Sequence, residues 1–551
     1  MKRYHFIYIY LLVLLAGAAC NKDFLDPRNP DSIAPDEALH DAGLTELIVN
    51  GIYNDLLGWS RNLYIATTDA TDEARTDYPS EVAWQILRGD WDATNNPMDV
   101  WGNLYASIRK ANEFLSKIDA ATIDDGTRKR LKAEVRFLRA FQYFNLVKRY
   151  GAVPLITKPQ SLNEDLQVGR NSLTECFAFI SSELDAAAAD LPANVIRGKA
   201  GKGAALALKS RALLYQASPL YNEKNDATLW KQAADAGKAV MDMNMYALYP
   251  DLKQLWQDMS SGNKEPIFEV QYKMPEKYHG WDAMVTPLVI ANGDAGHVAP
   301  LQELINAFPM KNGKRIMEQG SGYNAADPYV GRDDRFYADI GYNGAKRRGM
   351  LNGALTEITL LIYKGGRDYD SVASGQVYNT ITGYYTLKMV DQSNTIYTWG
   401  YGSVQPWLEI RYAEVLLNYA EAQNESQTAP DVSVYAAVNA VRRRAGIQND
   451  IPAGSLDKSS MRDLIRNERY VEFCFENQRY WDLRRWKTAV GTLSGKRGNG
   501  MVITKQAGGG FTYAVHPVDP QDAVFSEKMY FMPIPFDEIS KNKKLEQNPG
   551  W

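Results

Sequence analysis

Apolar residues recur at intervals of three and four along much of this chain, a spacing that predicts amphipathic helices. The first stretch covers 99–115, is interrupted at 124–126, and resumes over 131–147 until Gly151 and Pro154 stop it. Two helices joined by a short turn pack antiparallel, and each pair buries its apolar face against its neighbours. The expected fold class is therefore mainly α, a tetratricopeptide-like stack of helical hairpins. Further helices are predicted at 173–191, 204–216, 229–243, 411–424, 432–445 and 459–487.

The helical period is lost between Glu265 and Trp407, where Gly, Pro, Asn and Tyr accumulate. This segment predicts a large, irregular, loop-rich insertion with few short strands, for which 267–272 and 358–363 are candidates. A shorter irregular segment is expected at 67–98, and a glycine-rich, mobile one at 491–522. The predicted single unit contains a tether and irregular segment at 20–98, helical hairpins at 99–264 and 408–490, the insertion at 265–407, and a tail at 491–551.

The N-terminus has the pattern of an export signal. Lys2 and Arg3 precede an uncharged stretch at 6–19, which is shorter than the roughly 20 residues that a membrane-spanning helix needs. Small residues end directly at Cys20. We therefore interpret 1–19 as a lipoprotein signal peptide and Cys20 as the lipidated N-terminal residue, so that acyl chains attach the protein to a membrane. An ordinary secretory signal with an incidental cysteine is the alternative.

The composition excludes several classes of function. With 62 Lys and Arg against 66 Asp and Glu, a net charge of -4 and 45% hydrophobic residues, the chain is neither disordered nor a basic nucleic-acid binder. Three Cys and five His, without CxxC or HExxH, give little support to a zinc site or a metal hydrolase. No cofactor is predicted, and a structural calcium ion in the loops has no supporting motif. The 33 Tyr and 12 Trp supply many rings that have an apolar face and a polar tip.

A series of short motifs follows in order along the chain: Cys20 with 23–26, then 111–112, 133–140, 150–155, 331–336, 411–422, 439–446, 467–473, 479–486, 533–535 and 547–551. The series resembles the SusD/RagB family, the surface nutrient-binding lipoproteins of Bacteroidetes. The resemblance implies a lipid anchor in the cell outer membrane, facing the exterior, and no catalysis. It also implies that an oligosaccharide is bound and delivered to a SusC-like TonB-dependent transporter. A peptide ligand is the alternative within the same family.

Charged residues in the last motifs favour a structural role. Their spacing lets opposite charges meet across one or two helical turns, so we expect ion-pair networks between neighbouring hairpins. Cys176 and Cys474 lie in apolar helical surroundings, where a thiol acts as a small hydrophobe, and neither is expected to be reactive. The charged residues are Glu468, Arg469, Glu472, Arg479, Asp482 and Arg485.

Two loop segments combine aromatic rings with polar side chains, as a site for a sugar chain requires. In starch-binding relatives an arc of aromatic residues with a nearby Arg and Asn comes from corresponding regions, and the spacing from Trp91 to Asn96 resembles that pattern. Replacing Trp91 or Trp281 by Ala is expected to weaken ligand binding by about 1–3 kcal/mol and to leave the fold intact. A core role is the alternative for each ring. The candidate ligand-binding residues are Arg75, Asp77, Tyr78, Trp91 and Asn96 in the first segment, and Tyr278 and Trp281 in the second.

Two other classes of function stay open on the sequence. A glycoside hydrolase needs two suitably separated carboxylates, and the pairs Asp72-Glu73 and Asp333-Asp334 are candidates. Adjacent acids diverge in direction, and the sequence contains no nucleophile elbow, P-loop or dinucleotide fingerprint, so an enzyme is not predicted. The other class is a structural or adhesive surface protein, which would form oligomers through a self-complementary apolar surface without a small ligand.

Overall fold

The computed structural model describes residues 35–59, 66–76, 82–161, 163–291, 297–369, 372–373, 376–377, 380–395 and 402–551. Cys20, Asp77 and Tyr78 lie outside these ranges, so lipidation at Cys20 and ligand binding at Asp77 and Tyr78 stay predictions. Within the ranges, no helix has both the length and the apolar character that a membrane span requires.

Helices are the predominant regular elements of the described chain. They are α1 Pro35–Ala38, α2 Ala42–Tyr53, α3 Ala66–Asp69, α4 Val82–Arg88, α5 Trp101–Lys117, α6 Asp125–Tyr150, α7 Leu173–Asp190, α8 Lys202–Ala217, α9 Ala227–Met241, α10 Trp281–Met284, α11 Leu288–Ala291, α12 Gln302–Ala307, α13 Asp334–Asp339, α14 Tyr412–Ser426, α15 Val432–Arg444, α16 Lys458–Glu472, α17 Arg479–Arg485, α18 Ala489–Leu493 and α19 Phe536–Lys541. Two 3-10 turns cover Ile118–Ala120 and Glu527–Tyr530.

The strands of the described chain are short and pair two by two. The antiparallel pairs are β1 with β3, β2 with β10, β4 with β9, β5 with β6, β7 with β8, and β11 with β12. Their bounds are β1 Ala74–Arg75, β2 Pro266–Val270, β3 Ala299–Pro300, β4 Ile340–Gly341, β5 Lys346–Leu351, β6 Ala354–Thr359, β7 Val372–Ala373, β8 Gln376–Val377, β9 Tyr385–Thr386, β10 Trp407–Arg411, β11 Asn499–Lys505 and β12 Phe511–Pro517.

The helix α6, at 26 residues the longest of the described helices, is buried over most of 131–150. Asp124 caps its N-terminus, because its Oδ1 accepts the Thr127 N–H at 2.8 Å. Gly151 follows its last residue and ends the helix with a φ of 74°, which favours glycine. The helix α5 packs against α6, and α7, α8, α9, α14 and α15 then follow one another through the stack. Hairpins from both sides of the insertion thus form one continuous body, which confirms the predicted mainly helical, tetratricopeptide-like fold class.

Three local predictions are wrong. The segment 459–487 is not one helix: α16 ends at Glu472 and α17 begins at Arg479, because Phe475 and Asn477 adopt left-handed backbone with φ of 63° and 59°. The segment 20–98 contains the regular helix α2, which Asp41 caps by accepting the Leu44 N–H at 2.8 Å. The segment 491–522 contains the hairpin β11–β12, with Asn499 opposite Pro517.

The two ends of the insertion meet in one pair of strands. In the β2–β10 pair, Trp407 lies opposite Val270 and Arg411 lies opposite Pro266. The strand predicted at 267–272 is therefore confirmed, with a slight shift, as β2. The strand predicted at 358–363 lies earlier, at Ala354–Thr359, where it pairs with β5.

A network of buried ion pairs joins β10, α13, α15 and α16. One carboxylate at its centre, Glu472, lies 2.7 Å from Arg411 and 3.3 Å from Arg335, and it also pairs with Arg444. All four side chains are buried. Burial raises the pKa of Glu472, but the surrounding guanidinium groups outweigh it and hold the pKa well below its ordinary value. Glu472 is therefore ionised and neutralises charge contributed by three separate elements.

The ion-pair networks expected from the motif residues are present. They join Glu468 to Arg335 at 2.9 Å and to Arg442 at 2.6 Å, Arg469 to Asp482 at 2.8 Å, Arg485 to Glu421 at 2.6 Å and to Asp482 at 2.8 Å, and Arg479 to Asp72 at 2.7 Å. These contacts confirm the structural interpretation of the six residues. Cys176 and Cys474 are buried, and burial raises the pKa of both thiols, as an unreactive role requires.

Replacing Glu472 by Gln tests how strongly the fold depends on this network. We expect the variant Glu472→Gln to lose about 3–5 kcal/mol of unfolding free energy, because buried guanidinium groups are left without a compensating charge. The measurement is the denaturant midpoint together with the slope of the transition. The matched control is Glu357→Gln, which removes the exposed Lys346–Glu357 pair and is expected to cost less than about 1 kcal/mol. Equal losses in the two variants would contradict the assignment of a special role to Glu472.

Candidate ligand-binding site

Five aromatic side chains, Trp59, Tyr272, His279, Trp281 and Trp407, pack together at the base of the insertion and are called the aromatic cluster. The ring of Trp59 is at its centre, 4.7 Å from the rings of both His279 and Trp281 and 4.9 Å from that of Trp407. Tyr272 completes the cluster by packing edge-on against His279 at 4.9 Å. The rings of Trp281 and Trp407 lie where α10 and β10 begin, so the ends of regular elements position them.

Hydrogen bonds fix the polar ends of these rings toward the protein. The carbonyl of Gln405 accepts the indole N–H of Trp59 at 3.2 Å and lies 3.0 Å from Nε2 of His279. The indole N–H of Trp281 donates to the carbonyl of Lys388 at 3.0 Å. Burial lowers the pKa of His279 to about 3, so its imidazole is neutral at physiological pH. The cluster is thus a fixed hydrophobic support and not a set of groups free to bind.

A cavity of about 410 Å³ lies beside the aromatic cluster and is called the polar cavity. It shares Gln405 with the hydrogen bonds of the cluster, and its volume is in the range of small-molecule sites. Carboxamides, a hydroxyl and both signs of charge lie in its wall, together with a few apolar side chains. The lining residues are Lys253, Gln254, Trp256, Gln257, Met259, Arg348, Val390, Asp391, Gln392, Ser393, Val404, Gln405 and Pro406.

The carboxamides of the polar cavity are held in place and leave acceptors unused. Gln257 donates to the carbonyl of Val390 at 3.1 Å, while Gln392 accepts the Arg348 N–H at 2.9 Å. Within the described chain, the buried Oε1 atoms of Gln257 and Gln405 accept no hydrogen bond. Both oxygens are sealed from solvent, so they add polarity to the wall and are not exposed acceptors at the cavity surface.

The carboxylate of Asp282 ties residues 391–394 and 403–405 to α10. It accepts hydrogen bonds from Gln405 Nε2 at 2.6 Å, from the Asp391 N–H at 3.0 Å and from Asn394 Nδ2 at 2.8 Å. The Asp282 N–H donates to Ser403 Oγ at 3.1 Å. Burial raises the pKa of this carboxyl to about 6, even though the hydrogen bonds lower it. A single side chain therefore sets the shape of one wall of the polar cavity.

The second predicted segment divides between surface and core. Tyr278 is 40% exposed, and its role as a ligand-binding residue stays a prediction. Trp281 is 2% exposed, and the prediction that it stacks on a sugar ring is wrong for this structure, because its faces pack within the aromatic cluster. The alternative of a core role applies to Trp281.

The first predicted segment lies elsewhere and is largely structural. Arg75 is 3% exposed and forms a two-pronged pair with Asp519 at 2.7 and 2.9 Å, so its guanidinium is not free for a ligand. Trp91 is 5% exposed and packs on the ring of Trp551 at 4.7 Å. Asn96 is half-buried, and its Oδ1 caps a turn by accepting the Met98 N–H at 3.0 Å. The predicted arc of Arg75, Trp91 and Asn96 around a ligand is therefore wrong for this structure.

The carboxylate pairs proposed for a hydrolase do not form a catalytic dyad. Asp72 pairs with Arg479 at 2.7 Å, whereas Glu73 is 1% exposed and burial raises its pKa well above the ordinary value. Asp333 is fully buried against Arg335, whereas Asp334 lies at the surface near Lys311. In each pair one carboxylate is inaccessible to a substrate. Among the residues that the structure describes, no group of three or more His, Cys, Asp or Glu is placed to hold a metal ion.

Sequence reasoning missed Trp59 and the walls of the polar cavity. Trp59 precedes the first long helix by many residues, and nothing in its local sequence indicates that it packs against 279–281. The only local signal for the wall is the polar turn sequence Asp391-Gln392-Ser393-Asn394.

Comparisons with known proteins agree on one family. The SusD family model matches residues 264–551, and a model described as starch-binding and associating with the outer membrane matches residues 23–214. The SusD-like protein P2 of Formosa agariphila is 25% identical over 100% of both chains. The starch-binding protein SusD of Bacteroides thetaiotaomicron is 27% identical over 34% of this chain and 32% of its own length.

Solved structures give the same result. A SusD-like protein from Bacteroides fragilis is 31% identical, with a TM-score of 0.79, covering 94% of this chain and 99% of its own. A laminarin-binding SusD-like protein shares the fold at 21% identity, with a TM-score of 0.66 over 92% of this chain and 99% of its own. Helical architecture, family models and relatives together show that this chain belongs to the SusD family.

Proposed function

We propose that this protein is a cell-surface lipoprotein that binds an oligosaccharide and delivers it to a SusC-like TonB-dependent transporter. The observation that carries the proposal is the polar cavity, a concave site with fixed carboxamides beside the fixed aromatic cluster. Two of the similar proteins, one named as starch-binding and one as laminarin-binding, support a glycan over a peptide. The outer-membrane description of the matching family model supports the location.

The geometry fits capture without chemistry. Hydroxyl groups of a sugar find donors in Arg348 and Lys253 and acceptors in the Asp391 carboxylate and the Gln254 carboxamide, all of which line the polar cavity. The exposed ring of Tyr278 offers an apolar face for the C–H side of a sugar ring. Because Asp282 holds the wall in place before a ligand arrives, little conformational entropy is lost on binding.

Anchoring and transfer complete the proposed function. Acyl chains on Cys20 hold the protein at the outer face of the outer membrane, next to the transporter. Moderate affinity suits this role, since a ligand held very tightly would not pass on to the barrel.

A glycan screen tests the function directly. The chain from residue 21 onward is suited to it, because every described contact involves residues from 35 onward. We expect binding to a set of related neutral oligosaccharides on a glycan array, and unchanged chain lengths when the same glycans are recovered and separated. Shortened products would overturn the proposal of binding without catalysis, and binding only to peptides would overturn the choice of ligand.

The contribution of Tyr278 is tested with two variants. We expect Tyr278→Ala to weaken binding of the best glycan from the screen about 3- to 10-fold, because the stacking face is lost, whereas Tyr278→Phe keeps the ring and most of the affinity. Titration calorimetry gives both dissociation constants. The exposed aromatic Phe536 on α19 provides a control, since Phe536→Ala removes a ring of similar exposure at a different place. Wild-type affinity in Tyr278→Ala would assign that ring no role.

The pH dependence of stability tests the buried state of Asp282. A carboxyl whose pKa is raised to about 6 in the folded protein stabilises the fold below its unfolded pKa and loses that contribution as the pH rises through 6. The melting temperature of the wild type, relative to that of Asp282→Asn, is therefore expected to fall between about pH 4 and pH 6 and to level off above it. A relative melting temperature that rises over this range would contradict the assignment.

A further inference from the structure

A larger cavity, of about 550 Å³, lies apart from the polar cavity, and we call it the second cavity. One face of α5 forms one wall. The other walls come from residues within 154–160 and 166–168, from α19, and from 542–545, which follow α19. None of the residues that line the polar cavity lines this one. The proposed function assigns it no role.

The walls of the second cavity are fastened to one another by hydrogen bonds. From α5, Asn112 donates to the carbonyl of Ile156 and Tyr105 donates to that of Pro154, both at 2.8 Å. On the other side, Gln167 donates to the carbonyl of Lys541 at 2.9 Å, and Asn542 donates to that of Val168 at 2.8 Å. The cavity is thus formed before any ligand binds, as small-molecule sites usually are.

The floor of the second cavity is aromatic and contains an unused donor. Trp101 is 4% exposed and packs 5.0 Å from Tyr105 and 5.1 Å from Tyr150. Its indole N–H makes no hydrogen bond within the described part of the chain, and it is not among the nitrogen atoms sealed from solvent. Tyr105 is half-buried beside it and contributes ring surface. A flat group with an acceptor at its edge fits this floor.

The rim of the second cavity has an excess of positive charge. Arg109, Lys158 and Lys541 line it, against one acidic side chain, Glu538. Arg109 pairs with Glu113 at 2.8 Å and Lys541 pairs with Glu538 at 3.1 Å. Lys158 has no carboxylate partner among the described residues. In a chain whose net charge is -4, a preformed cavity with this rim favours an anion.

We propose that the second cavity binds a sugar unit that carries an anionic substituent, a carboxylate or a sulfate ester. Tyr105 contacts the ring, the Trp101 N–H donates to a ring hydroxyl or to the anion, and Lys158 pairs with the negative charge. The choice of a sugar rests on the proposed function, whereas the choice of an anion rests on the rim alone.

Titration calorimetry of the chain from residue 21 onward tests this proposal. The probes are digalacturonate, a disaccharide 6-sulfate, neutral cellobiose and the peptide acetyl-Glu-Tyr-Glu-amide, each at low and at physiological salt. We expect at least one anionic disaccharide to bind, cellobiose to bind at least tenfold more weakly, and added salt to weaken the anionic ligand. Preference for one anionic sugar over the other identifies the substituent.

Three variants locate the binding. Lys158→Gln is expected to weaken the anionic disaccharide about tenfold, as loss of a charge-assisted contact does, and Trp101→Phe, which keeps the ring, about threefold. Lys224→Gln, at an exposed lysine outside the cavity, is expected to leave this binding unchanged. Melting temperatures within a few degrees of the wild type show that the variants fold.

Several outcomes would overturn the proposal. They are the absence of binding by both anionic disaccharides, unchanged binding in Lys158→Gln and Trp101→Phe, or preference for the acidic peptide. If neutral glycans bind in the screen while both anionic disaccharides fail, the second cavity alone is wrongly assigned. If no glycan of any charge binds, the proposed function fails as well.

Discussion

The structure depends on one electrostatic constraint: a buried charge is tolerated only when a partner neutralises it and hydrogen-bonds it. Glu472 meets guanidinium groups from a strand and two helices that are far apart in the sequence, and Glu468 does the same for Arg335 and Arg442. Each partner left unpaired would be costly, so the elements that carry these charges have only one mutually satisfactory arrangement. The network therefore fixes the relative positions of β10, α13, α15 and α16.

The same constraint carries through to the proposed ligand-binding region. Arg411 is both the last residue of β10 and a partner of Glu472, so the strand pair at the base of the insertion is attached to the network. The aromatic cluster begins at the other end of that strand, at Trp407, and the carbonyl of Gln405 is its shared acceptor. The ion pairs thus hold one end of β10 in place, and the residues just before its other end, which include Gln405, form part of the wall of the polar cavity.

Much of the helical frame follows from the sequence because periodicity is a local signal. The helices α5 to α9, α14 and α15 lie close to their predicted bounds, and the charged motif residues have the roles that their spacing indicates. The break between α16 and α17 was missed because left-handed backbone at Phe475 and Asn477 is imposed by tertiary packing and not by a glycine.

The site was harder to predict for a different physical reason. A tryptophan between polar residues satisfies the same local pattern whether its ring faces a ligand or the core. Trp281 faces the core because its indole N–H bonds to the carbonyl of Lys388, and Trp91 does so because its ring packs on that of Trp551. Both partners are distant in sequence. Arg75 similarly finds Asp519 more than four hundred residues away. Tyr278, by contrast, is 40% exposed, and its role in ligand binding stays a prediction.

The pairing of β2 with β10 has a consequence for how such proteins diversify. The long insertion leaves the helical body and returns to it through two adjacent strands, so the gap that it must span is one inter-strand spacing, about 5 Å. Loop closure costs little extra free energy as a loop lengthens. Segments between these strands that carry none of the network residues, unlike α13 with Arg335, are therefore free to lengthen, shorten or exchange during evolution while the helical frame stays the same.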